Sequence, residues 1–187
     1  MNDRRLLTLP NLATFGNLAA GFSALVFAAQ GDLARAALLV GVAAVFDLLD
    51  GIIARQSDSG SEFGANLDSL ADVVSFGVAP AFALFVAALS EFGSLGVAVA
   101  VLFVVAGAVR LARFPLVKNH RVFVGLPIPP AGLAVVGLAL LSPPPAVACA
   151  TVLTLGALMV SVFPFPTLRS FLDRIEDGEE ERKKRAE

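Results

Sequence analysis

The chain has 187 residues, of which 57% are hydrophobic, and its mean hydropathy is +0.80. Soluble domains hold about half apolar residues, so this composition excludes a water-soluble globule and requires a second, apolar solvent. The formal net charge of −2 says little, because it averages a basic membrane-proximal surface with an acidic tail; no nucleic-acid partner is expected.

Charged residues are absent from Leu6 to Gly31, Val73 to Ser90, Phe92 to Val109 and Val122 to Leu168. Uncharged apolar runs of about 18 residues or more are candidate membrane helices. Arg4 and Arg5 precede the first run. That run is long for a signal peptide and has no A-x-A pattern before Gly31, so it reads as an uncleaved span over 11–30. Further spans follow over 33–56, 62–89, 93–114, 129–142 and 146–163. Gly31-Asp32, Ser57–Ser61, Ser90–Ser94, the segment 115–127 and Pro143–Pro145 break the pattern. The fifth span is short, because its 14 residues at about 1.5 Å each fall short of a roughly 30 Å hydrocarbon core. The expected fold is all-α: a polytopic bundle of six transmembrane helices with short loops over 1–168, followed by a charged tail over 169–187.

Basic residues set the orientation. With the N-terminus inside, Arg4, Arg5, Arg55, Arg110, Arg113, Lys118, Arg121 and the six basic residues from Arg169 to Arg185 are cytoplasmic, and Arg35 alone is outside. The positive-inside rule then predicts a cytoplasmic-membrane protein with both termini in the cytoplasm. Cys149, the single cysteine, excludes an internal disulfide. His120 has no histidine partner and reads as a loop residue.

Four acidic residues interrupt this apolar pattern. Asp47 and Asp50 close the second span, and Asp68 and Asp72 open the third. An acidic residue deep in a bilayer costs about 2.5–3.5 kcal/mol on insertion scales, so four together require hydration or cations. Spacings of i, i+3 and i, i+4 point each pair from one helix face, and the short connection makes the helices antiparallel, which sets the pairs opposite each other. Gly51, Ala54 and Gly64 allow close backbone approach. Hard carboxylate oxygens suit Mg²⁺ or Mn²⁺, as one ion or two bridged ions. Spacing alone leaves a second reading open, an aspartate pathway for protons or cations in a transporter. Such a pathway needs continuation across the membrane, and between Val73 and Leu168 Glu91 is the single acidic residue.

These residues also form a longer pattern: Asp47-x2-Asp50-Gly51-x2-Ala54-Arg55-x8-Gly64-x3-Asp68-x3-Asp72. In every fixed position and both gap lengths it resembles the signature of the CDP-alcohol phosphatidyltransferase family, whose six-span architecture is similar too. The resemblance implies a binuclear Mg²⁺ or Mn²⁺ site on the four aspartates, with Asp72 as general base. It further implies CDP-lipid binding by Gly51, Ala54, Arg55, Ser61 and Gly64, with Asn11 and Thr14 near the nucleotide, and membership in commonly homodimeric proteins.

Two stretches resemble the phosphatidylserine synthase branch of that family. One is the third-span run from Leu67 to Ala81, and the other is Phe123-Val124-Gly125-Leu126-Pro127-Ile128-Pro129 after Arg113-Phe114. Val73 stands where relatives using glycerophosphate usually carry lysine. The implied substrates are CDP-diacylglycerol, drawn from the membrane lipids, and L-serine. Phosphatidylglycerophosphate, phosphatidylinositol phosphate and archaetidylserine synthesis are the alternatives within the family. A serine carboxylate needs a cation, and Arg110, Arg113 and Arg121 are candidates where the fourth span meets the cytoplasm. Each also reads as a membrane-surface anchor.

Overall fold

All regular structure among the described residues is helical. The structure is a computed structural model that describes residues 8–56, 61–113 and 125–161, with the side chains of 54–56 excepted. Helix α1 spans Leu9–Ala29 and α2 spans Leu33–Gln56. The third span runs as α3 (Glu62–Asp72), a π-helical segment (Val73–Val78) and α4 (Ala79–Ala87). It is followed by a 3₁₀ turn (Leu89–Phe92), α5 (Ser94–Arg113), α6 (Ile128–Leu140) and α7 (Pro145–Val160).

Local chemistry explains the boundaries. Pro10 lies in the first turn of α1, where a missing N–H costs nothing. Gly31, at φ +78°, takes the left-handed conformation that ends the first helix. Ser61 caps α3, its Oγ accepting from the Gly64 amide at 3.0 Å. Prolines near the starts of α6 and α7 end one apolar run and begin the next.

Four helical stretches are long and apolar enough to cross a membrane: Leu9–Ala29, Leu33–Ile53, Glu62–Ala87 and Ser94–Arg113. Ile128–Leu140 and Pro145–Val160 are shorter apolar helices. Large apolar side chains such as Leu38, Leu48, Leu70 and Leu102 are exposed, while Ala20, Ala24, Ala28, Ala36, Ala43, Ala83 and Ala139 are buried. Such an arrangement is stable only in lipid, where close backbone approach between small residues replaces the hydrophobic effect as the source of packing. The protein is an integral membrane protein.

The expected six helices are present, with ends shifted by a few residues. The fifth and sixth are shorter than expected, and the third is not uniform. Its π segment packs against α1, α5 and α6 and buries Ser75, Phe76 and Gly77. Neighbouring backbones press on it from two sides. A Cβ on Gly21 of α1 would lie 2.7 Å from the Ser75 Cα, and one on Gly132 of α6 would lie 2.4 Å from the Phe76 carbonyl oxygen. The start of α1, the end of α2, α3 and the end of α5 gather at one end of this bundle.

Candidate active site

A polar stripe runs down the apolar α1. Asn11, Thr14 and Asn17 recur every third position and are all buried, which directs them at the aspartates rather than at lipid. The Thr14 hydroxyl lies 2.9 Å from Asp50 Oδ2 and 3.1 Å from the Pro10 carbonyl oxygen, so its hydrogen is shared between the two. Asn17 Nδ2 donates to Asp72 Oδ1 at 3.2 Å. In turn, the Ser75 hydroxyl donates to the Asn17 carbonyl at 3.0 Å, which ties α1 to the π segment directly beyond Asp72.

Helices α2 and α3 bring Asp47, Asp50 and Asp68 together, one oxygen of each lying within 4.8 Å of the others. Asp72 stands outside that trio, one helical turn beyond Asp68, with its carboxylate bound to Asn17. At such separations two carboxylates repel by roughly 3 kcal/mol at an effective dielectric of 20. No ion pair among the described residues relieves that repulsion; the salt bridge there, Arg35–Asp32, is on α2's first turn. Asp68 Oδ1 is buried without a hydrogen-bond partner. A compact set of hard oxygen donors, one of them buried and unsatisfied, is chemically suited to a divalent cation.

The other expected site residues divide into three groups. Gly64 lies against α1, where a Cβ would come 2.9 Å from Asn11 Oδ1, so its lack of a side chain is what lets Asn11 approach. Gly51 continues α2 directly after Asp50, and Ser61 is exposed and occupied in capping α3. The backbones of Ala54 and Arg55 complete α2, while their side chains, like Arg121 as a whole, lie outside the described residues.

Arg110 and Arg113 part company despite their i, i+3 spacing. Arg110 is half-buried, with its Nε buried and unpartnered, and it is within electrostatic reach of Asp72. Arg113 is exposed and donates to the Val160 carbonyl at 3.2 Å, which ties α5 to the end of α7. Nearby, the Leu126 amide donates to the Leu158 carbonyl at 3.1 Å, and Gly125 at φ +85° gives the chain the turn needed to enter α6 there.

Asn17 and Ser75 were not among the residues expected from the sequence. The available signal was the three-residue recurrence of Asn11, Thr14 and Asn17 in an otherwise apolar helix. For Ser75 there was none, because its role depends on the π segment.

A family model described as CDP-alcohol phosphatidyltransferase matches residues 7–163. The CDP-diacylglycerol–serine O-phosphatidyltransferase of Helicobacter pylori (strain J99) is 41% identical over 134 residues, 70% of this chain and 56% of that protein. One of the same name from Bacillus subtilis is 32% identical over 172 residues, 91% of this chain and 97% of that protein. The archaetidylserine synthase of Methanothermobacter thermautotrophicus is 38% identical over 141 residues, 72% of this chain and 60% of that protein. The chain thus spans little more than half the length of the H. pylori and M. thermautotrophicus relatives and nearly all of the B. subtilis one.

Proposed function

Because the chain belongs to the CDP-alcohol phosphatidyltransferase family, we propose that it transfers the phosphatidyl group of CDP-diacylglycerol to the hydroxyl of L-serine, releasing CMP. The observation that carries this reading is the trio Asp47, Asp50 and Asp68 within 4.8 Å of one another, beside an Asp72 held separately by Asn17. Relatives named for serine transfer support the choice of acceptor.

In this reading Asp47, Asp50 and Asp68 hold divalent ions, with Asp72 completing a two-ion set. Mg²⁺ or Mn²⁺ bound there supplies neutralisation of the pyrophosphate charge and of the departing CMP. Asn11, Thr14, Gly51, Ala54, Arg55, Ser61 and Gly64 bind the CDP-lipid, with Thr14 fixing Asp50 and Gly64 making room for Asn11. Arg55 offers bidentate contact to phosphate oxygens.

Asp72 takes the proton of the serine hydroxyl. The serine oxygen then forms its bond to the lipid-side phosphorus as the bond from that phosphorus to the CMP oxygen breaks. Arg110 holds the serine carboxylate, with Arg113 and Arg121 as the further candidates for that role. The asymmetry of Lys and Arg supports a cytoplasmic site with both termini on that side, and the family resemblance supports a homodimer.

The archaetidylserine synthase relative favours one variant of this reading, with the same acceptor and an ether-lipid donor. Purified protein supplied with ester or ether CDP-lipid, Mn²⁺ or Mg²⁺, and competing serine, glycerol 3-phosphate, inositol and inositol phosphate separates these readings. Serine-containing lipid, identified by mass, is the expected product. No CMP release with serine would sink the assignment.

A further inference from the structure

Three buried side-chain polar atoms among the described residues have no hydrogen-bond partner: Asn17 Oδ1, Asp68 Oδ1 and Arg110 Nε. Buried polar atoms are overwhelmingly satisfied in native proteins, so each such atom calls for a physical explanation. Each bears on Asp72 in its own way. Asn17 donates to it, Asp68 precedes it by one turn, and Arg110 is within its electrostatic reach. Asp68 belongs to the carboxylate trio, where a divalent cation would satisfy it. That leaves one orphaned acceptor, on Asn17, and one orphaned donor, on Arg110.

We infer that Asn17 Oδ1 accepts a hydrogen bond from the α-ammonium of the amino-acid acceptor, opposite the carboxylate held by Arg110. The inference rests on the proposed serine transfer with Asp72 as base. Serine carries its hydroxyl and its ammonium on adjacent carbons. A hydroxyl placed on Asp72 therefore brings the ammonium within hydrogen-bond reach of the amide whose nitrogen already binds Asp72. Orientation of that amide follows from the carboxylate, which accepts and so turns Nδ2 toward itself, leaving Oδ1 free. The side chain is fully buried, at 0% exposure, and its backbone carbonyl is held by Ser75, so the protein sets the amide's position and the acceptor must displace the atoms that cover Oδ1 to reach it. A neutral amide also suits the position, because it attracts an ammonium without adding a fifth carboxylate to the cluster.

The test compares L-serine with 3-hydroxypropionate, which keeps the hydroxyl and carboxylate and lacks the amine, in wild type and Asn17→Ala. CMP release is measured in mixed micelles with CDP-diacylglycerol and Mn²⁺. A hydrogen bond to a charged group sets the expected scale, so kcat/KM for serine relative to 3-hydroxypropionate falls on the order of 10- to 100-fold in Asn17→Ala. Loss of the Asp72 contact slows both acceptors alike and cancels in this ratio. Retained thermal stabilisation by CDP with Mn²⁺ reports an intact fold, and Asn17→Ser replaces the alanine variant should that stabilisation be lost. An unchanged ratio overturns the ammonium role while leaving serine transfer standing. Wild type that releases no CMP with serine overturns the transfer reading itself.

Discussion

Gly21→Ala tests whether contact between α1 and the π segment positions the site. The added methyl would sit 2.1 Å from Ser75 Oγ, 2.7 Å from its Cα and 2.8 Å from its Cβ. A serine hydroxyl can rotate away, but a backbone Cα cannot. Ordinary contact begins near 3.4 Å, so the two helices must part by roughly 0.7 Å in a site packed without spare volume. Overpacking of this kind costs about 1–3 kcal/mol. The same displacement stretches the Ser75–Asn17 bond at 3.0 Å and, through Asn17, the bond to Asp72 at 3.2 Å, taking them beyond hydrogen-bonding range. Misplacement of a reacting group on this scale lowers kcat on the order of 10- to 100-fold. The assay is CMP release in mixed micelles beside thermal unfolding of the purified protein. Gly137→Ala, whose added methyl meets nothing within 4 Å, serves as the control and keeps wild-type values of both. A Gly21→Ala protein with wild-type kcat and melting temperature would refute the reasoning.

Three further outcomes follow from the aspartates. Asp72→Asn abolishes CMP release at every Mn²⁺ concentration while the protein still unfolds cooperatively; turnover near wild type would remove Asp72 from the role of base. Chelation stops CMP release, and added Mn²⁺ or Mg²⁺ restores it. Asp68→Asn then needs on the order of tenfold more metal for half-maximal activity, since one charged ligand is lost. An unchanged metal titration would show that the trio does not hold the ion.

Much of this molecule was legible because bilayer physics writes itself plainly into composition. Uncharged runs marked the helices, and the aspartate spacings at 47, 50, 68 and 72 placed two pairs on facing helices. Periodicity fails where a neighbour decides the outcome. The run from Val73 to Val78 carries no sign of a π turn, nor of the close packing against the backbones of α1 and α6 at Gly21 and Gly132 that accompanies it. Likewise Arg110 and Arg113 share a helix face by spacing, yet one is half-buried with its Nε unpartnered and the other is exposed and donates to the Val160 carbonyl at the end of α7. Asn17 was visible as a polar residue in a membrane helix, but its partner is 55 positions away.

The π segment also acts as a phase shifter between two halves of one rod. An α-helix turns about 100° per residue, and a π turn holds more residues than an α turn, so α3 and α4 do not share one angular register. The aspartate face and the core-packing face of α4 can consequently be aimed independently, although a single span carries both. Forcing the same six residues into a regular α-helix would swing Asp68 and Asp72 away from α2 by about a quarter turn, because the π turn absorbs one residue more than an α turn. The irregular turn therefore fixes the aim of the carboxylates, and a more regular helix would make a poorer catalyst.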